Sequence, residues 1–336
     1  MIYENVELHN FAEVQEAEGG GMRMQRVPES VRIRLNESAQ WQMLRPASGE
    51  IRFVSETGSP RVTLSSFWEV TDVVVFRGVF QLAGRFTVGK QPQTIEVPAP
   101  PDQFARLDPD RRRAMPFSPD VVRLMMFGGP AIFHGIEGEG VRPPRAGEVP
   151  ALRYLTYGTS ITHGHCATGP HLSYAAQTAR RLGADLINLG SAGSAQCEHE
   201  LADYIAARDD WDIASLALSV NMLGFSLDEF YERVSYMVHT VCGANTARPV
   251  ACITLYPFFD DLGDEAQRAN AEAFRRKLRD AVEACPHPNA HLIEGPEILT
   301  GVSGLAPDLI HPADNGMIEM GANLALRLGP LADPLV

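Results

Sequence analysis

Cysteine is scarce in this 336-residue chain: five residues, Cys166, Cys197, Cys242, Cys252 and Cys285, all in the second half. Their number is odd and none stands in C-x-x-C spacing, which argues against a disulfide framework or a structural zinc site. No apolar run approaches the roughly 18 residues of a membrane span, so no membrane partner is expected. The opening MIYENVELHNFAEVQEAEGGG lacks a basic n-region and an apolar h-region. Read as a start it is no secretory signal, and with reduced thiols it gives a cytoplasmic location as the expectation. Positive charge is also short, with 29 Lys and Arg against 42 Asp and Glu, a net −13. Such a chain repels phosphate backbones and anionic lipid, so nucleic acid is not an expected partner. Gly19-Gly20-Gly21 is not followed by Gly-Lys-Ser/Thr and reads as a turn rather than a phosphate loop.

What is present falls into two rhythms. Hydrophobic residues make up 45% of the chain, enough for a core in each half. Up to about residue 145 short strand-like runs dominate: alternating Val31, Ile33 and Leu35, then IRFV from Ile51, RVTL from Arg61, VVVFRGVFQL from Val73, QTIEV from Gln93 and VVRLMMF from Val121. Turn formers such as Gly58-Ser59-Pro60 separate them, as in an antiparallel sandwich or jelly roll. From residue 146 onward strands alternate with helices. The strands begin at Arg153, Asp185, Ile213, Pro249 and His291, with helices expected over 174–182, 198–207, 227–241, 265–284 and 316–328. Five apolar strands with helical crossovers predict a parallel sheet covered on both faces. The expected division is therefore a β-sandwich over 1–145 and an α/β domain over 146–336.

In such a domain the ligand site lies beyond the carboxyl ends of the strands. Four polar clusters fall there: Gly158-Thr159-Ser160-Ile161-Thr162-His163-Gly164, Asn188-Leu189-Gly190-Ser191-Ala192-Gly193, Ser219-Val220-Asn221-Met222, and Pro307-Asp308-Leu309-Ile310-His311-Pro312. Together they hold what acyl transfer needs. A serine hydroxyl requires an adjacent base, which makes Ser160 a candidate nucleophile and His311 its base, with Asp308 to orient the imidazole. The oxyanion wants preorganised donors, and the backbone N–H groups of Ser160 and Gly193 and the side-chain amide of Asn221 are candidates. Thr159, His163, Met222 and Tyr256 are candidates for contacting substrate. Each residue alone has a plainer reading: a helix cap for Ser160, a turn for Gly193, an Asx-turn for Asp308. The order of the four clusters at predicted strand ends is what sets those aside.

The segments YGTSITHG, NLGSAG, SVNM and DLIHP resemble the four blocks of the SGNH (GDSL-type) esterase and acylhydrolase family. The strand-rich first half is similar to that of its two-domain members, which include a salicylyl-transferring enzyme and sugar-acetyl esterases. The resemblance implies a flavodoxin-like α/β/α domain and ester chemistry without metal or cofactor. It implies Ser160 as nucleophile, Gly193 and Asn221 as oxyanion donors, Asp308 as orienter and His311 as base. Two positions depart from the family pattern: Thr159 stands for the usual aspartate before the serine, and Met222 for the one after the asparagine. Met222 would make the mouth more apolar.

The function expected is a serine esterase acting on a small-molecule acyl ester, with oligomeric state left open between monomer and homo-oligomer. Its alternatives are an acyltransferase using the same site and, more distantly, a non-catalytic carbohydrate-binding protein that stacks sugars on Trp41, Trp68, Phe76 and Phe80. His163, His165, Cys166 and His171 carry zinc-binding atoms, but their spacing matches no zinc pattern, so no metal is expected.

Overall fold

Period-two patterning in the first half is realised as two antiparallel sheets. The computed structural model describes residues Met1–Leu335 and, at Thr57, the backbone only. One sheet runs Ile2–Tyr3, Val6–His9, Glu50–Val54, Val121–Gly128, Thr71–Arg77, Phe80–Gln81, with Phe86–Val88 also on Thr71–Arg77. The other runs Gln93–Glu96, Thr57–Ser66, Ala131–Glu139, Met22–Gln25, Glu13–Glu16. Ile51, Phe53, Val122 and Leu124 from the first sheet and Val62, Leu64 and Phe133 from the second share one buried cluster, the core of a β-sandwich.

The alternation at Val31, Ile33 and Leu35 predicts a strand, and here the structure differs. The chain forms helical turns at Glu29–Arg32 and Glu37–Gln42. Ile33 is 55% exposed while Leu35 is 3% exposed, so the alternate residues share no buried face. Asn36 Oδ1 instead accepts the N–H of Ala39 at 3.0 Å, a local bond that favours a helix start over a strand.

The chain divides by internal contacts into two compact units. One comprises Met1–Glu29 and Met43–Ala151; the other takes Ser30–Gln42 and the chain from Leu152 on. The division thus falls at 151/152 rather than 145/146, and a segment from the first half joins the second unit.

In this second unit, numbering its elements from Leu152, five strands form one parallel sheet: β1 Arg153–Gly158, β2 Asp185–Asn188, β3 Ile213–Ala217, β4 Val250–Ile253 and β5 Ala290–Ile293. Their order is β2-β1-β3-β4-β5, the flavodoxin-like order, with its reversal between β1 and β3. Seven α-helices follow in order: α1 Ser160–His163, α2 Tyr174–Leu182, α3 His199–Ala207, α4 Leu227–Ala244, α5 Glu265–Glu283, α6 Gly295–Ile298 and α7 Asp314–Ala332. Tyr174, Ala175 and Ala179 of α2 cluster with Met317, Met320 and Leu324 of α7 and with Tyr154, Ile213 and Ile253 of the sheet. Helices α3, α4 and α5 pack on one another in turn. The fold is the SGNH α/β/α arrangement preceded by an all-β unit. All five cysteines are free thiols. Among the described residues no helix is long and apolar enough to cross a membrane.

Candidate active site

The carboxyl end of β1 runs straight into α1. Gly158 makes this possible: a Cβ there would meet Thr162 Oγ1 at 2.2 Å and the Ala217 carbonyl of β3 at 2.9 Å. Thr159 then caps α1, its side chain accepting the N–H of Ile161 at 3.4 Å. A threonine thus supplies the capping oxygen at the position where the family pattern has aspartate. Ser160, the first helical residue, is 7% exposed.

His311 arrives from the loop between α6 and α7. Its Nε2 lies 2.7 Å from Ser160 Oγ, and its Nδ1 lies 2.7 Å from Asp308 Oδ2. The loop is built to hold this. Asp308 Oδ1 accepts the N–H groups of Ile310 and His311, each at 3.0 Å. The Ala306 N–H donates to the His311 carbonyl at 2.7 Å, and Leu309 takes a left-handed φ of 57° between them. Asp308 therefore makes the Asx-turn and holds the ring with separate oxygens. Burial works against its ionisation, but the N–H groups of His311 and Ile310 and the His311 ring outweigh that and hold its carboxyl down at about 2. A carboxylate on Nδ1–H leaves Nε2 as the proton acceptor facing Ser160, the tautomer a general base needs.

Gly193 follows β2 in a tightly fastened loop. Its φ of 66° is left-handed, and a Cβ there would meet nothing within 4 Å, so conformation rather than space calls for glycine. Around it Ser191 and Ser194 share a hydroxyl bond at 2.8 Å, and Cys197 N–H donates to Tyr157 Oη at 3.2 Å. Asn221 lies in the 3-10 turn Val220–Met222 after β3. Its Oδ1 accepts the Ala195 N–H at 3.1 Å, which fixes the amide's orientation and leaves Nδ2 without a protein partner among the described residues. Gly193, Asn221 and Ser160 thus stand at the ends of β2, β3 and β1, the three strands that flank the sheet's reversal.

A small cleft of about 310 Å³, open to solvent, adjoins the serine; Thr159, Ile161, Val220, Tyr256, Phe258 and Ile310 are among its walls. Thr159 and Ile161 flank Ser160 in sequence, and Ile310 precedes His311. Tyr256 is 5% exposed, its ring edge-on to Tyr174 at 6.0 Å. Of the other expected substrate contacts, one falls elsewhere. Met222 is 0% exposed and fills the interior, because the turn after β3 directs it inward, so it does not open onto an apolar mouth. His163 is absent from the cleft walls; its Nδ1 lies 3.2 Å from the Gly190 carbonyl, where two backbones meet closely. Val220 and Ile310 went unmarked in the sequence because they read as filler beside Asn221 and His311.

Of the aromatic residues weighed for sugar stacking, Trp41 belongs to the second unit, and Phe76 of the sandwich is 7% exposed beneath the Arg123 guanidinium.

A family model for the GDSL-like lipase/acylhydrolase family matches residues 153–327, just over half of the chain. Among curated protein sequences none matches. Similar solved structures include a salicylyl-acyltransferase from a tetracycline biosynthetic pathway, 15% identical with a TM-score of 0.76, covering 98% of this chain and 95% of that one. A putative GDSL-like lipase from Bacteroides ovatus is 17% identical, TM-score 0.70, with 98% of both chains covered. A family two carbohydrate esterase from Clostridium thermocellum is 14% identical, TM-score 0.63, with 98% and 99% covered. At these identities the structures speak for the fold and the family model for kinship: the chain belongs to the GDSL-like lipase/acylhydrolase family, serine hydrolases that act on ester bonds.

Proposed function

We propose that this protein is an esterase that removes a small acyl group from an oxygen ester through an acyl-Ser160 intermediate. The observation that carries the reading is the continuous relay from Ser160 Oγ to His311 Nε2 and from Nδ1 to Asp308, both links at 2.7 Å. As Oγ attacks the ester carbonyl, its proton passes to Nε2, and Asp308 stabilises the resulting imidazolium. The oxyanion takes hydrogen bonds from Ser160 N–H, Gly193 N–H and Asn221 Nδ2. Collapse expels the alcohol, which takes the proton from Nε2. Water then repeats the sequence on the acyl-serine and releases the acid. We assign the acyl group to the cleft walled by Ile161, Val220 and Phe258, the apolar surface beside the serine.

A fluorophosphonate probe should label the wild-type protein and leave Ser160→Ala unlabelled, with p-nitrophenyl acetate turnover reduced about ten-thousand-fold. Equal labelling of the two would end the assignment.

A second reading, transfer to an alcohol acceptor at the same serine, is favoured by the likeness to the salicylyl-acyltransferase. Product analysis with and without added alcohols separates the two: ester products speak for transfer, free acid alone for hydrolysis.

A further inference from the structure

Beside the base lie two side chains that this turnover does not use, His165 and Cys166. The sequence groups them with His163 and His171, and the structure separates the four. His163 turns to the Gly190 carbonyl, and His171 lies in the 3-10 turn Pro170–Leu172. His311 takes their place from across the chain. Its ring meets that of His165 edge-on at 4.4 Å between centroids. Ligand atoms of His165, Cys166 and His311 all lie within 4.8 Å of one another.

Both sides of this group are anchored. Helix α1 ends at Gly164 with a left-handed φ of 101°, and the His165 N–H returns to the Ser160 carbonyl at 2.9 Å. Thr168 donates its N–H and hydroxyl to Asp314 at 2.8 and 2.6 Å, tying the loop to the start of α7 just beyond His311.

Two imidazoles and a thiolate are the donor set that Zn²⁺ favours. Ligands about 2.0–2.3 Å from a tetrahedral ion stand roughly 3.3–3.6 Å apart, so modest side-chain rotation completes the geometry. We propose that His165, Cys166 and His311 form a binding site for a zinc-like divalent cation, and that filling it switches the enzyme off. The second half of this rests on the esterase reading above. Because Nδ1 of His311 is held by Asp308, the ion takes Nε2 and displaces the hydroxyl of Ser160. Cys166 gives its thiol proton to solvent on binding, both imidazoles bind neutral, and water takes the fourth position.

The binding test needs no turnover, so it stands apart from the esterase reading. The full chain is titrated with Zn²⁺ against a chromogenic chelator. One ion per chain is expected, with affinity at least about tenfold weaker in Cys166→Ser and in His165→Ala. Unchanged affinity in both variants overturns the site. In turnover of p-nitrophenyl acetate, Zn²⁺ should inhibit the wild type reversibly on chelation. Cys166→Ser should keep its basal rate and need at least about tenfold more Zn²⁺ for the same inhibition. Undiminished turnover at saturating Zn²⁺ overturns the switch.

Discussion

Asp308 divides its carboxylate between backbone and ring, and the division sets what a conservative change would do. In Asp308→Asn the amide oxygen can still accept the N–H groups of Ile310 and His311, so the loop should keep its shape. The amide nitrogen, however, would face His311 Nδ1 and select the wrong tautomer. The expected result is a folded protein by circular dichroism whose kcat falls about ten-thousand-fold. The carboxyl's low value of about 2 has a pH consequence. Its folded-state value lies below the ordinary carboxylate value near 4, so Asp308 stays ionised until the pH falls towards that low value. Any loss of activity at milder acidity belongs to another group. At this scale much of the site was legible, since Ser160, Gly193, Asn221 and Asp308/His311 sit in blocks that strand-end reasoning alone brings together. Met222 was misjudged because facing a cleft or a core depends on packing, which neighbouring residues in sequence do not encode.

At the scale of elements, the segment Ser30–Gln42 reaches the loop of Gly193, the proposed oxyanion donor, from far away in sequence. Asn36 Nδ2 donates to the Ser194 carbonyl at 2.9 Å and to the Glu198 carboxylate, fastening the stretch that directly follows Gly193. Burial already pushes the Glu198 carboxyl up, against its bonds to its own and Asn36's groups. Losing Asn36 would loosen the loop without touching substrate. Asn36→Ala should therefore lower kcat by about tenfold to a hundredfold. KM for p-nitrophenyl acetate should stay nearly constant; a fall in stability with kcat intact would show the role to be structural alone. None of this was readable beforehand. The strands and helices of the second unit follow from local period and turn chemistry, whereas the Asn36 contacts span 158 and 162 residues. The strands Val6–His9, Met22–Gln25 and Ala131–Glu139 were missed for a related reason: short runs interrupted by Glu, Arg and His pair only because a sheet waits for them.

For the whole molecule, acid stability turns on a buried ion cluster in the sandwich. Glu50, 2% exposed, accepts from Arg52 at 2.6 Å and from Arg123 at 2.8 and 2.5 Å. Burial alone would raise its carboxyl, but Arg123 and Arg52 pull it well below the carboxylate range. Because the folded value is depressed, its contribution is complete above the unfolded value near about 4 and fades as pH falls below it. Glu50→Gln removes the carboxylate that Arg52 and Arg123 share, leaving Arg52 the longer pair with Glu7 at 3.6 Å and Arg123 the Gly78 carbonyl, and should cost about 3–5 kcal/mol in urea denaturation at neutral pH. The difference from wild type should shrink in acid; a constant difference from neutral pH down to strong acid would contradict this account.

The excursion of residues 30–42 has one more consequence. The backbone passes from one unit to the other at three places, 29/30, 42/43 and 151/152, so no single cut separates them. A protease nick between residues 143 and 151 should yield two fragments on a denaturing gel that still elute together, and still hydrolyse ester, under native conditions. A chain begun at Leu152 would lack Asn36 altogether. The hydrolase is thus assembled from a noncontiguous stretch of polypeptide, and recombining the first half with a foreign partner would carry part of the hydrolase away with it.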